Sequence, residues 1–69
     1  MSLGRMMAVS ALIEAKVFIN GTNLNQKILK VIVGCLIELY SSHDMLQESI
    51  SVIFTKLLTI LKDQREAGL

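Results

Sequence analysis

The segment Ile28–Tyr40, ILKVIVGCLIELY, decides the fold because it is apolar around almost its whole circumference when it is wound as an α-helix. Its interruptions, Lys30, Gly34 and Glu38, are spaced four residues apart and therefore share one narrow stripe. Such a helix needs cover from several directions, and two neighbouring helices of a 69-residue chain supply only part of it. The sequence therefore predicts a small all-α domain in which a second copy of the chain supplies the rest.

The composition indicates one domain with an aliphatic core and with neither a disulfide nor a structural metal site to stabilise it. Hydrophobic residues make up 52% of the chain, with only two Phe, one Tyr and no Trp. One cysteine and one histidine are too few for an intrachain disulfide or a structural zinc site. A chain this short buries only about 60% of its unfolded surface, so oligomerisation is the remaining source of stability. We therefore treat residues 1–69 as a single helical domain and expect a homodimer.

Charge and hydropathy exclude two classes of protein. Seven basic and six acidic residues give a net charge of +1, which is not the electrostatic footprint of a dedicated nucleic-acid binder. The longest uncharged run, Val17–Gln26, is far shorter than the roughly 20 apolar residues of a membrane span. Glu14 interrupts the N-terminal apolar run, so we expect no signal peptide and no membrane insertion. Together with the lone Cys35, which suits a reducing compartment, these features predict a cytoplasmic protein.

Apolar periodicity predicts three helices, at about residues 4–19, 24–42 and 45–64. We expect them to form a three-helix, antiparallel, hairpin-like protomer whose second and third helices build a homodimeric helical bundle. The third helix carries an apolar seam with the 4-3-4-3 spacing of a coiled coil, formed by Leu46, Ile50, Ile53, Leu57 and Ile60. A second apolar stripe lies beside this seam and consists of Phe54, Leu58 and Leu61. The predicted dimer interface comprises Ile28, Ile32, Leu36, Leu39, Ile50, Ile53, Leu57, Ile60 and Leu61.

Short polar motifs predict where the helices begin and end. Asn20-Gly21 offers the left-handed residue that a helix C-terminus favours, and Asn23 with Gln26 matches a capping box for the second helix. Asp44 or Ser42 is expected to cap the third helix. The chain therefore divides at two polar breaks.

Gly34 lies in the middle of the second helix, where glycine costs about 1 kcal/mol relative to alanine. Either its stripe faces solvent, or another helix passes close over it. The apolar residues on both sides favour close packing.

No pattern in the chain indicates catalysis. Carboxylates are scattered singly and no glycine-rich phosphate loop is present, so we expect no enzyme activity, no catalytic residue, no cofactor and no metal. Cys35 lies among apolar residues and is interpreted as a small buried hydrophobe, while His43 beside Asp44 is interpreted as a surface turn residue or helix cap. Residues that mix apolar and polar character provide the candidate partner surface: Met6, Met7, Tyr40 and His43.

A longer pattern resembles a known family. Gly21-Thr22-Asn23-Leu24-Asn25-Gln26-Lys27 reads Gly-x-Asn-apolar-Asn-x-Lys, an apolar helix then reaches Glu38, and Ser42 and Asp44 precede a third helix. Over about residues 12–61 this arrangement resembles the small enterobacterial biofilm-development proteins of the YmgB/AriR type, which are grouped with two-component connectors.

The resemblance implies a small all-helical homodimer that acts in biofilm formation and in acid and stress survival by modulating a sensor-kinase phosphorelay. It carries no catalytic residues over to this chain. Two alternatives stay open: a DNA-associated transcriptional regulator, and a purely structural dimerisation module. The DNA-associated alternative predicts one shared face for the basic residues Lys16, Lys27, Lys30, Lys56, Lys62 and Arg65.

Overall fold

A computed structural model describes residues 2–67, and within them the chain forms three helices with a small hairpin between the first two. In chain order the elements are α1 (Ser2–Glu14), β1 (Ile19–Asn20), β2 (Asn23–Leu24), α2 (Gln26–Ser42), a 3₁₀ turn (Asp44–Leu46) and α3 (Gln47–Ala67). Met1, Gly68 and Leu69, the ends of the predicted 1–69 domain, lie outside the described residues. The predicted all-α class is confirmed.

The second and third helices form an antiparallel hairpin. At its closed end, Gln47 Nε2 in the first turn of α3 donates to the carbonyl oxygen of Tyr40 at 3.0 Å. At its open end, Gln64 Nε2 donates to the carbonyl oxygen of Gly21 at 2.9 Å, shortly before α2 begins. The first helix packs against both α2 and α3. The protomer is therefore a three-helix unit in which α1 covers one side of a two-helix layer.

One stripe from each helix builds the core. The spacings i, i+3 or i+4 and i+7 bring three apolar side chains of each helix to the same face, as an amphipathic helix requires. The buried residues are Met6, Val9 and Ile13 of α1, Ile32, Leu36 and Leu39 of α2, and Ile50, Ile53 and Leu57 of α3, together with Phe18 from the segment between α1 and β1. Leu46 and Ile60, the two ends of the predicted seam, are half-buried.

This core changes the assignment of the expected dimer interface. Six of its nine residues are buried inside a single chain, because α1 already covers the stripes on which they lie: Ile32, Leu36, Leu39, Ile50, Ile53 and Leu57. The other three, Ile28, Ile60 and Leu61, are half-buried and pack against the same core. These nine residues therefore pack within the single chain.

The first helix ends earlier than its periodicity predicts, at Glu14 rather than near residue 19. Lys16 adopts the left-handed conformation with φ 55°. Its N–H donates to Ile13 O at 3.0 Å, and the N–H of Val17 donates to Leu12 O at 3.4 Å. These two bonds are the Schellman motif, in which a left-handed residue satisfies the last helical carbonyls. The first helix therefore ends about five residues before its predicted end.

Asn20-Gly21 closes a β-hairpin instead of a helix. Ile19 pairs with Leu24 and Asn20 with Asn23, which leaves a two-residue turn. Gly21 has φ +65°, and a glycine at the first central position is typical of a type II′ hairpin.

The caps of α2 and α3 also differ from the predicted ones. Asn25, not Asn23, is the N-cap of α2, and its Oδ1 accepts from the N–H of Ile28 at 3.2 Å. At the start of α3 neither Ser42 nor Asp44 is the cap. His43 precedes the 3₁₀ turn there without a side-chain capping bond.

The expected close packing at Gly34 does not occur within the chain. A β-carbon built on Gly34 meets no heavy atom within 4 Å, so this stripe of α2 faces solvent within the protomer. Its neighbours on the stripe, Lys30 and Glu38, are exposed as well. The stripe formed by Lys30, Gly34 and Glu38 is therefore on the outer face of α2.

Gly34→Ala should consequently stabilise the chain by about 1 kcal/mol, because alanine has the higher helix propensity and meets no neighbour. In a domain of this size that corresponds to a rise in Tm of roughly 4–8 °C in a thermal melt. Gly21→Ala is the matched control: its φ of +65° disfavours any β-carbon, so that variant should melt lower. A lower Tm for Gly34→Ala would show that another surface covers the stripe in solution.

Candidate interaction surface

An apolar groove runs along the side of the α2–α3 hairpin that α1 leaves uncovered. It has a volume of about 410 Å³ and is lined by Ile37, Tyr40 and Ser41 of α2 and Ser51, Phe54 and Leu58 of α3. Ile37 is 54% exposed and Leu58 is 63% exposed, large values for aliphatic side chains in so small a domain. We call this feature the α2–α3 groove.

Helical spacing explains why the sequence builds this groove. Leu58 lies one residue beyond the buried Leu57, so it points about 100° away from the core on α3. Ile37 stands in the same relation to the buried Leu36 on α2. The core and the groove are thus adjacent stripes of the same two helices, as the second apolar stripe of α3 predicted.

The hydroxyl groups beside the groove are already hydrogen-bonded along α3. Ser51 Oγ donates to the carbonyl of Gln47 at 2.9 Å, Thr55 Oγ1 to Ser51 O at 3.0 Å, and Thr59 Oγ1 to Thr55 O at 3.0 Å. These i−4 bonds return each hydroxyl to its own helix. They form a polar border to the apolar floor.

Charges are distributed unevenly along the groove. Lys30 precedes Ile37 by seven residues and Arg65 follows Leu58 by seven, so each lies on the stripe of its groove residue, two helical turns away. Because α2 and α3 are antiparallel, both cations lie at the open end of the hairpin. Lys62 lies one turn beyond Leu58 on the same side. The opposite end carries the exposed acidic residues of the α2–α3 turn.

Two ion pairs connect α1 to the hairpin on its other side. Arg5 Nη1 lies 3.6 Å from Glu38 Oε1 on α2, and Lys56 of α3 pairs with Glu14. All four side chains are about half exposed, and such pairs contribute little to stability, roughly 0–1 kcal/mol each. Their effect is to orient α1 across both helices, away from the α2–α3 groove.

A second concavity, of about 520 Å³, lies where the start of α1 meets the α2–α3 turn. Its residues are Ser2, Leu3, Ser42, His43, Asp44, Met45 and Leu46. His43 is half-buried there, and Ser2 Oγ lies 2.7 Å from its Nε2. The histidine expected as a surface turn residue therefore contacts the first residue of α1. Met45 at the rim is 96% exposed.

The four residues predicted as a partner surface do not form one surface. Met6 is only 8% exposed and belongs to the core, so its assignment to a partner surface is wrong, whereas Met7 is 62% exposed. Tyr40, 40% exposed, lines the α2–α3 groove, and His43 lines the second concavity. The four side chains therefore lie in the core, on the exposed face of α1, in the α2–α3 groove and in the second concavity.

The described part of the chain has few reactive or metal-binding side chains. Cys35 is a free thiol, half-buried against the core. Among residues 2–67, no three His, Cys, Asp or Glu side chains come together in a way that could hold a metal ion. No helix within the same residues is long and apolar enough to cross a membrane.

The chain matches no protein-family model, and comparisons with curated proteins and with solved structures give no match. Its geometry and its sequence pattern are therefore the basis of any functional proposal.

Proposed function

We propose that this chain is a non-enzymatic regulatory module that acts as a homodimer through protein–protein interaction. The observation that carries the proposal is the α2–α3 groove, an apolar surface left open beside a complete core. Contiguous exposed apolar surface of this kind is typical of interaction sites. Ile37 and Leu58 keep more than half of their surface exposed in the folded chain, so their role is sought outside it.

The accessible surface supports self-association. A compact monomer of this mass, 7.7 kDa, exposes about 4,300 Å². The chain exposes 4925 Å². The excess of roughly 600 Å² is similar to the area of about 800 Å² that each partner contributes to a standard interface.

The resemblance to the YmgB/AriR-type proteins supports a more specific role. On that basis we propose that the dimer is a cytoplasmic connector that modulates a sensor-kinase phosphorelay in biofilm formation and in acid and stress responses. The exposed Leu3 and Met7 of α1 lie on the helix opposite the groove and offer a surface for the larger signalling protein.

A DNA-associated regulator is the second candidate, and the observation that favours it is the cluster of Lys30, Lys62 and Arg65 at one end of the α2–α3 groove. Lys56, also expected to contribute, instead pairs with Glu14. Binding of this kind should weaken steeply as salt is added, because phosphate contacts release counterions.

We expect the chain to sediment as a dimer at micromolar concentration, with a Tm that rises with protein concentration because association is coupled to folding. Analytical ultracentrifugation and thermal melts over a concentration series measure both. A folded monomer of 7.7 kDa across that series would contradict the proposed dimer.

Purification of the tagged chain from its native cell separates the candidate roles. A co-purifying sensor kinase supports the connector, and a nucleoid fraction supports the DNA-associated regulator. A dimer that brings down neither supports the purely structural module and contradicts the regulatory role.

A further inference from the structure

We propose that the occupant of the α2–α3 groove is the same groove of a second copy, docked antiparallel, so that the basic end of each copy lies beside the acidic turn of the other. This inference rests on the proposed homodimer and specifies its surface and orientation. Such an interface is isologous, because a two-fold axis brings the same patch of both copies together.

The groove is suited to a copy of itself. Its floor is apolar, and its two most exposed apolar side chains, Ile37 and Leu58, come from different helices. In a two-fold arrangement each helix of one copy faces the groove of the other, so both side chains lose contact with water. The hydroxyls of Ser41 and Ser51 lie at its edge. An apolar centre with a polar rim is the usual anatomy of a protein interface.

The charges select the orientation. Residues 39–55, which form the closed end of the hairpin, contain no lysine or arginine and two carboxylates, Asp44 and Glu48, both exposed. The open end carries four cations, Lys27, Lys30, Lys62 and Arg65, against two carboxylates, Asp63 and Glu66, so it is net basic by two charges. Parallel docking would bring the basic ends of two copies together, whereas antiparallel docking pairs basic with acidic ends. Opposite charges across an interface fix its register in this way.

The spacing of the charges matches this orientation. Lys30 lies seven residues before Ile37, about 10 Å along α2, and α2 ends at Ser42, five residues after Ile37, just before the turn that carries Asp44. A two-fold axis near the level of Ile37 therefore brings the first turns of α2 in one copy, with Lys30, beside the α2–α3 turn of the other, with Asp44. An acidic helix from another protein would pair with the basic end but would meet Asp44 and Glu48 at the closed end. The second copy satisfies both ends.

Two glutamate substitutions on α3 locate the interface. Leu58 lies in the groove and is 63% exposed, while Val52 is 66% exposed but does not line it. Leu58→Glu should raise the dimer Kd at least tenfold in analytical ultracentrifugation, and Val52→Glu should leave it within twofold of wild type. Circular dichroism confirms that both variants remain helical. If only Val52→Glu weakens the dimer, the chain still dimerises but the α2–α3 groove is not its interface.

Charge reversal tests the orientation. Lys30→Glu with Lys62→Glu makes the open end acidic, and Asp44→Lys with Glu48→Lys makes the closed end basic. Each double variant should self-associate at least tenfold more weakly than wild type, and an equimolar mixture should recover heterodimers detectable by native mass spectrometry. Weak self-association without recovery in the mixture would overturn the antiparallel pairing. A wild-type chain that is monomeric throughout would instead overturn the homodimer itself.

Discussion

Replacing Phe18 with alanine should remove a large part of the free energy of unfolding of the chain. Phe18 is completely buried, and removing a buried phenyl ring costs about 3–5 kcal/mol. The free energy of unfolding of a 69-residue domain is only about 3–10 kcal/mol. The ring also holds the segment between α1 and β1 against the core, so its loss affects the positions of two elements.

The neighbouring residue provides the control for this prediction. Val17 is 40% exposed, and Val17→Ala should change the free energy of unfolding by less than about 1 kcal/mol. Urea titration followed by circular dichroism measures both variants. Similar unfolding midpoints for Phe18→Ala and Val17→Ala would show that the segment after α1 does not pack as the structure describes.

Met6→Ala should destabilise the chain by about 2–5 kcal/mol, the cost of truncating a buried methionine. Met6 is 8% exposed and lies on the core stripe of α1 with Val9 and Ile13. Met7→Ala should stay within about 0.5 kcal/mol of wild type, because Met7 is 62% exposed. The same urea titration compares these two adjacent residues. Equal effects of the two substitutions would mean that α1 is rotated about its axis relative to the described packing.

Periodicity was sufficient to predict the helices because each of them carries a regular apolar stripe. Ile50, Ile53 and Leu57 repeat every three or four residues and are all buried, as their spacing predicted. What periodicity cannot tell is which chain covers a stripe. A core residue and a dimer residue produce the same pattern, so Leu36 and Leu57 were assigned to an interface although α1 covers them within the protomer.

The helix ends were harder to predict because their usual residues are absent or duplicated. A Schellman motif normally has glycine at its left-handed position, whereas Lys16 occupies it here, and the burial of Phe18 requires the chain to reverse at this point. Asn23 and Asn25 are both suitable caps, and the β-hairpin takes the first of them. The hairpin itself is too short, two residues per strand, to produce an alternating apolar pattern.

The candidate surface was predicted only in part. The second apolar stripe of α3 indicated a wide face, and Leu58 on that stripe is 63% exposed. Ile37 borders the polar stripe of α2 at Gly34 and Glu38, but it was assigned neither to the predicted dimer interface nor to the predicted partner surface. In a helix with almost no polar face, the exposed apolar residues are determined by the rotation of the helix against its neighbours, which the sequence does not specify. The exposure of Gly34 has the same origin.

The connection between α2 and α3 has a consequence for how quickly the chain folds. A single 3₁₀ turn joins the two longest helices, so their packing requires closure of only a very short loop. Domains whose contacts are mostly local in sequence reach the native state in microseconds to milliseconds. The groove and the core stripes are thus brought together early in folding. Fast closure of the hairpin shortens the time for which the apolar stripes of a newly made chain are open to aggregation.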